Sequence, residues 1–194
     1  MTGLFDEPNQ ATPLAPEEIE GLIPSHVTWR SELNELEQQN IIAASVWAHE
    51  RKRNSVNEAF ARNLHRRMFG KVWRWAGTYR QSNKNLGVNC NDILPRIHQT
   101  LDDTRYWIEH TTYPPDEIAV RFHHGLVFIH PFPNGNGRWS RLMTDILVAR
   151  LGQPRFTWGG SSLQTDDESR RAYVNALRAA DNHDFTSLLV FSRS

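Results

Sequence analysis

Residues 130–141 read His-Pro-Phe-Pro-Asn-Gly-Asn-Gly-Arg-Trp-Ser-Arg: a histidine, a Gly/Asn turn and two arginines three apart. Glycines let backbone N–H groups close on a phosphate, and arginines bind its oxygens through charge-assisted hydrogen bonds. The flanking sequence fixes where this turn sits. Arg138 to Leu151 carries Leu142, Ile146, Leu147 and Leu151 at helical spacing, which predicts a buried helix with the turn at its N-terminus, where free N–H groups and the dipole favour an anion. Arg138 and Arg141 then share one face. Upstream, Pro115 opens a stretch dense in Ile118, Val120, Phe122, Leu126, Val127, Phe128 and Ile129, which predicts a central helix buried on most sides that delivers His130 to the turn from inside the core. The reading is a polyphosphate cradle between two core helices, with a base beside it.

Working outward, the pattern is helical almost throughout. Leu33, Leu36, Ile41, Ala44 and Trp47 recur at helical spacing from Trp29 to about Arg53, giving a long amphipathic helix. Ser55 with Glu58 makes a capping box for the next helix, which Gly70 stops. Tyr79 to Val88, with Asn83, Asn85 and Gly87 as turn formers, predicts a short β-hairpin. Asn91-Asp92 caps a helix running to His110, and Thr112 to Pro115 forms a break. After a Gly/Ser-rich loop at 156–162, Thr165 and Glu168 make a second capping box for a helix through Tyr173, Leu177 and Ala180, and Phe185 to Phe191 ends the chain as a last helix. Residues 1–27, with Pro8, Pro13, Pro16 and Pro24, are an arm strapped over the body, helical at most for a turn at Pro16-Glu-Glu-Ile. Residues 28–194 are read as one compact all-α domain.

Composition narrows the classes further. Hydrophobic residues make up 39% of 194, and the formal net charge is zero. Cys90 is the only cysteine, no apolar run reaches the roughly 18 residues of a membrane span, and the opening Met-Thr-Gly-Leu-Phe-Asp-Glu lacks the basic-then-apolar order of a signal peptide. The expectation is a cytoplasmic protein with no membrane attachment. The zero charge hides an asymmetry: residues 1–50 carry nine acids against Arg30, and residues 51–84 carry ten Lys/Arg against Glu58. A solvated helical face, or packing of the acidic arm near the basic stretch, is preferred here to a nucleic-acid surface. His123 and His124 are adjacent, point to different faces and belong to no metal motif, so both are read as packed or hydrogen-bonding groups.

The 130–141 segment resembles the signature of the Fic/Doc (Fic domain) family, His-x-Phe-x-(Asp/Glu)-Gly-Asn-Gly-Arg-x-x-Arg, and departs from it only at Asn134, where the family has an acid. The wording Ala-Thr-Pro-Leu followed by Glu-Gly-Leu-Ile-Pro near the N-terminus resembles the subgroup called mobile mystery protein B. The resemblance implies a Fic-type helical bundle with a β-hairpin flap, and a protein adenylyltransferase that moves AMP from ATP to a Ser, Thr or Tyr hydroxyl of a target protein. It implies His130 as base; Gly135, Asn136 and Gly137 on the α-phosphate, through backbone and amide donors; Arg138 and Arg141 on the β- and γ-phosphates; and Tyr173 lining the nucleobase pocket. The flap residues Tyr79, Arg80, Asn85, Leu86, Gly87 and Val88 would hold the target's extended segment. Asn134 would be a weak, atypical ligand for Mg²⁺ or Mn²⁺, since an amide oxygen is a poorer donor to a hard dication.

Many Fic proteins also carry an inhibitory helix patterned (Ser/Thr)-x-x-x-Glu-(Gly/Asn). Ser31 and Glu35 fit it, within the helix at 29–53, while Leu36 does not; the resemblance implies pairing of Glu35 with Arg141, against the plainer reading of a solvated helical glutamate. The alternative function is a catalytically weak or inactive Fic-fold nucleotide-binding protein acting with a partner, such as one encoded nearby. The presence of His130 favours the enzyme, because a pure binder has no need of a base there.

Overall fold

In the computed structural model, residues 13–50, 54–160 and 167–194 are described, and they form helices α1 (Pro16–Ile19), α2 (Arg30–His49), α3 (Glu58–Phe69), α4 (Ile93–Glu109), α5 (Pro115–Ile129), α6 (Asn136–Arg150), α7 (Asp167–Asp181) and α8 (Thr186–Arg193). A short 3-10 turn, Cys90–Asp92, leads into α4. The all-α reading holds for these residues. Thr165 of the second capping box, and Arg51 to Arg53 at the expected end of α2, lie outside the described residues.

Helices α5 and α6 are the spine. Ile118, Phe122, Leu126 and Ile129 of α5 and Trp139, Met143 and Leu147 of α6 are buried, and the two helices serve both apolar clusters of the protein. The larger cluster gathers α2, α3, α4 and the 72–76 turn around them. The smaller sets Val120 and Val148 against Trp158, Tyr173, Ala180, Leu188 and Phe191 of the C-terminal region. Phe128 departs from the expected burial and is exposed.

The cap of α3 is not the expected one. Asn57, not Ser55, takes the N-cap: its side chain accepts the Phe60 N–H at 2.8 Å. Ser55 is buried with no hydrogen-bond partner for its hydroxyl, and Glu58 turns instead to His98 at 2.8 Å. Asn caps as well as Ser and sits two residues nearer the first apolar helical position. Gly70 ends the helix as read.

Among the described residues there is no strand, so the β-hairpin at 79–88 is not formed. The backbone groups that would pair across a hairpin are used elsewhere: Arg80 N–H donates to Pro131 O at 2.9 Å, Val88 N–H to Ile129 O at 3.3 Å, and Cys90 N–H to Asn83 Oδ1 at 2.9 Å. The segment is a loop moored to the end of α5. The described part of the arm contacts the 73–75 turn and the 82–88 loop. Leu22 makes an isolated antiparallel bridge to Trp73, Trp75 Nε1 donates to Glu18 O at 3.0 Å, and Lys84 of the loop binds the Glu18 carboxylate and the Pro13 carbonyl.

Candidate functional site

The site is the corner between α5 and α6. His130 closes α5 in the left-handed region, φ 53° and ψ 60°, a conformation that costs a non-glycine residue about 1–2 kcal/mol and that turns the chain sharply out of the helix. Phe132 is fully buried and stacks on His65 with ring centroids 3.7 Å apart. His65 is fixed as the neutral Nε2–H tautomer, because its Nδ1 accepts the Gly77 N–H at 3.0 Å while Nε2 donates to Asn134 O at 3.1 Å. Burial holds its pKa down, to about 3. His65 therefore ties α3 and the 72–77 turn to the signature loop, a role that no sequence motif marked.

Gly135 caps α6 at φ +79° with the Phe69 ring beneath it; a Cβ there would lie 2.6 Å from Phe69 Cζ. Only glycine satisfies both constraints. Trp139 N–H makes the first intrahelical bond, to Gly135 O at 3.0 Å, so the N–H groups of Asn136, Gly137 and Arg138 form the helix start that geometry leaves for an anion. Gly137 faces open space: the one atom near an added Cβ is Arg141 Nη1 at 3.6 Å. The Asn136 side chain is turned inward, with Oδ1 accepting Phe132 N–H at 2.9 Å and Nδ2 donating to Phe132 O at 2.8 Å. It shapes the loop, and what it offers a phosphate here is its backbone N–H, not the expected amide donor.

Arg138 and Arg141 lie one turn apart on α6, each with a protein partner. Arg138 Nη1 meets Glu37 Oε2 at 2.6 Å and its guanidinium lies 4.9 Å over Phe69. Glu37 is 4% exposed and also accepts Trp73 Nε1–H at 2.6 Å. Glu35, expected to reach Arg141, is exposed on the other side of α2 within 3.5 Å of Gln39, and Ser31 is exposed. The buried stripe of α2 runs Leu33, Glu37, Asn40, Ala44, Ala48; two residues are about 200° of helix, so Glu35 and Glu37 cannot share a face. The arginine contact comes from Glu37, and to Arg138 instead of Arg141. Its place four residues after Leu33 and seven before Ala44 was the sequence signal for it.

Arg141 is half-buried and sits 5.8 Å over the Tyr173 ring. Tyr173 itself is buried, against Phe191 at 5.6 Å, and its hydroxyl donates to His123 Nε2 at 2.8 Å. His123 passes the chain on to Thr144 Oγ1 at 3.3 Å, and Thr144 donates to Ser140 O at 2.8 Å. Burial pushes the His123 pKa down to about 3. Asp145, one turn after Arg141, accepts Trp158 Nε1–H at 2.9 Å and is pushed up to about 6 by burial.

The His130 imidazole is held down to about 4, first by burial and then by the charges of Arg80 and Lys84, with a hydrogen bond to the Val127 carbonyl opposing them. That bond fixes one ring nitrogen as donor, so the other is the acceptor of a neutral ring. The flap residues fall into two groups, with Val88, half-buried against the core, between them. Asn85, Leu86 and Gly87 are exposed. Tyr79 packs on Phe132 at 5.4 Å, and Arg80 is 2% exposed with its guanidinium on the carbonyls of Ser82, Val88 and His130. Tyr79 and Arg80 thus face the core, not an incoming chain.

The corner fits an anion with several phosphates: a helix start, two arginines and open space at Gly137. For a cation it offers less. Asn134 offers a neutral amide oxygen that already accepts the Gly135 N–H at 2.6 Å, and among the described residues no three His, Cys, Asp or Glu gather into a metal site.

Comparison with known proteins agrees with this geometry. The protein adenylyltransferase Fic of Drosophila melanogaster is 30% identical over 132 residues, covering 66% of this chain and 25% of that protein; its counterpart in Aedes aegypti is 27% identical over the same length. The chain spans about a quarter of the length of these relatives. Among solved structures, the BepC protein of Bartonella tribocorum, with bound AMPPNP, superposes with a TM-score of 0.70 at 16% identity, over 92% of this chain and 97% of that one. The N-terminal FIC domain of Bep8 from Bartonella sp. 1-1C gives 0.69 at 16% identity over 98% and 94%, and Fic-1 of C. elegans 0.62 at 21% over 90% and 50%. At these identities the solved structures share the fold. Residues 55–148 match the Fic/DOC family model, and with the whole signature inside that match the chain belongs to the Fic/DOC family.

Proposed function

We propose that the protein is an adenylyltransferase that transfers AMP from ATP to a hydroxyl on a target protein. The observation that carries this reading is a neutral histidine beside an anion-ready helix start bearing two arginines, in a chain with relatives named adenylyltransferases and with the fold of a protein solved with bound AMPPNP. The target's Ser, Thr or Tyr oxygen attacks the α-phosphate, a new P–O bond forms, the bond to the β-phosphate breaks, and pyrophosphate leaves. His130 takes the hydroxyl proton. The N–H groups of residues 136–138 hold the phosphate nearest the helix, and Arg138 and Arg141 neutralise the charge that builds on the leaving group. Mg²⁺ or Mn²⁺, when bound with the nucleotide, would supply charge neutralisation, with the Asn134 amide oxygen as a weak ligand at most. The exposed tip at Asn85, Leu86 and Gly87 is the part of the loop that this reading assigns to the target's segment.

In this reading Glu37 is the brake. Its carboxylate occupies Arg138, and a nucleotide's phosphates must displace it before the arginine can serve them. The neutral Asn134 and the weak basicity of His130 favour, as the second reading, a slow or inactive Fic fold that works through a protein partner.

The test is incubation with ATP labelled on the α-phosphate, Mg²⁺ or Mn²⁺ and cell extract, for wild type, His130→Ala, Glu37→Gln and Glu35→Gly. Expected are label on protein that His130→Ala abolishes, a gain in Glu37→Gln, and no change in Glu35→Gly. Absence of label in every lane, with ATP binding verified by titration, would favour the second reading. A gain in Glu35→Gly alone would refute the role given to Glu37.

A further inference from the structure

The geometry points to Arg80 as the positioning residue for His130: one buried guanidinium holds the left-handed turn at 129–131 and both ends of the 82–88 loop in a single register. This rests on the reading of His130 as the base. A helix end leaves its last carbonyls without intrahelical donors, and at the end of α5 they are met from one place. Arg80 N–H donates to Pro131 O at 2.9 Å, Arg80 Nε to His130 O at 2.8 Å, and Arg80 Nη2 lies 3.5 Å from Ile129 O, which also takes Val88 N–H at 3.3 Å. The same guanidinium reaches back to its own loop, with Nη1 on Ser82 O at 2.8 Å and Nη2 on Val88 O. A planar fork of five donors can serve two segments at once, and a cation at a helix C-terminus suits the dipole. Lysine, with one point of charge, cannot do this.

The loop is pressed onto the base. Gly87, at φ +92°, lies so close that an added Cβ would come 2.5 Å from His130 Cβ, 2.8 Å from Ile129 O and 2.9 Å from Arg80 Nη2. His130 therefore has its backbone fixed by Arg80 on one side and its Cβ backed by Gly87 on the other. An arginine buried to 2% exposure whose bonds run to carbonyls is an expensive choice for filling space. Other charged groups near it are spoken for: Lys84 of the loop pairs with Glu18. Cys90 is half-buried close by.

The experiment uses the full chain as wild type, Arg80→Lys and Arg80→Met, with three readouts: amide and Arg80 Nε–H hydrogen exchange, the His130 ring titration by NMR, and transfer kinetics. In the wild type, the Arg80 N–H, its Nε–H and the Val88 N–H are expected to exchange at one common rate, as a single opening unit. In Arg80→Lys that unit should exchange at least about tenfold faster, and the His130 midpoint should climb from about 4 toward the ordinary value, because an opened loop rehydrates the imidazole. ATP affinity should change by less than about threefold, since α6 keeps its own contacts. Where the wild type transfers label, kcat should fall by about a hundredfold with the nucleotide KM kept.

A folded Arg80→Lys with unchanged His130 titration and unchanged Val88 protection overturns the proposal. Should neither variant fold, the wild type decides alone: Val88 N–H exchanging independently of the Arg80 groups overturns it. Should the wild type transfer nothing, the adenylyltransferase reading fails, while exchange and titration still decide the role of Arg80.

Discussion

Acidification should destabilise this protein steeply, well above the pH at which its carboxylates are protonated. His65 and His123 are fully buried with depressed pKa values of about 3, and His130 is held at about 4. In the unfolded chain each titrates near 6.5. A group with a folded pKa below its unfolded one leaves stability intact above the unfolded value and removes it as pH falls toward the folded value. Below about pH 6.5, each histidine thus costs about 1.4 kcal/mol per pH unit, and three cost about 4. Asp145 works in the other direction: pushed up to about 6, it takes its proton in the fold first and returns one histidine's worth between about pH 6 and 4. The net is about two protons bound on unfolding in that range. Between pH 7 and 5 the loss comes to about 4 kcal/mol, a large part of the roughly 5–15 kcal/mol that holds a domain together. Urea unfolding followed by tryptophan fluorescence at the two pH values measures it, with NMR of the folded state to verify that the His65 and His123 rings stay neutral at the lower pH. A midpoint that is unchanged or higher at pH 5, or an imidazolium signal from either ring, would refute the burial argument. The same depression of His130 predicts transfer activity flat through neutral pH and falling only as pH approaches about 4.

Three further outcomes can be measured. Asn57→Ala should cost about 1 kcal/mol by loss of the α3 cap, whereas Ser55→Ala should be neutral or slightly stabilising because its hydroxyl is buried without a partner; equal costs in thermal melts would contradict the cap assignment. Gly135→Ala should destabilise by about 1–3 kcal/mol through left-handed strain and collision with Phe69, while Gly137→Ala should leave the melting point unchanged or higher and weaken ATP binding, since its Cβ would enter the open side of the helix start. Tighter ATP binding in Gly137→Ala would place the nucleotide elsewhere. Glu37→Ala should cost about 3–5 kcal/mol, with Arg138 and the Trp73 indole both left without their carboxylate, and Glu37→Gln distinctly less, because its amide oxygen still accepts from Trp73; equal losses in denaturation would show the Trp73 bond to contribute little and the charge pairing to carry the whole cost.

The helices, the signature turn and the ends at Gly70 and Ile129 were legible because local chemistry decides them: apolar spacing, a glycine stop, a proline start, and a glycine where φ must be positive. The twelve residues at 130–141 also named the family, since turn geometry and anion chemistry are both written in consecutive residues. What tertiary structure decided were choices between near-equivalent residues. Glu35 and Glu37 differ only in helical phase, and the phase of α2 is set by what packs on it, with two polar residues in the middle of the buried stripe. Ser55 and Asn57 can both cap, and the chain's path into α3 selects one. Tyr79 to Val88 has hairpin turn formers but makes no hairpin, because the end of α5 presents three carbonyls that compete for its donors and a buried arginine that meets them. Sequence fixes which groups are available for pairing. Which of them become partners depends on segments 50 residues apart meeting in space, and that is settled only when the core closes.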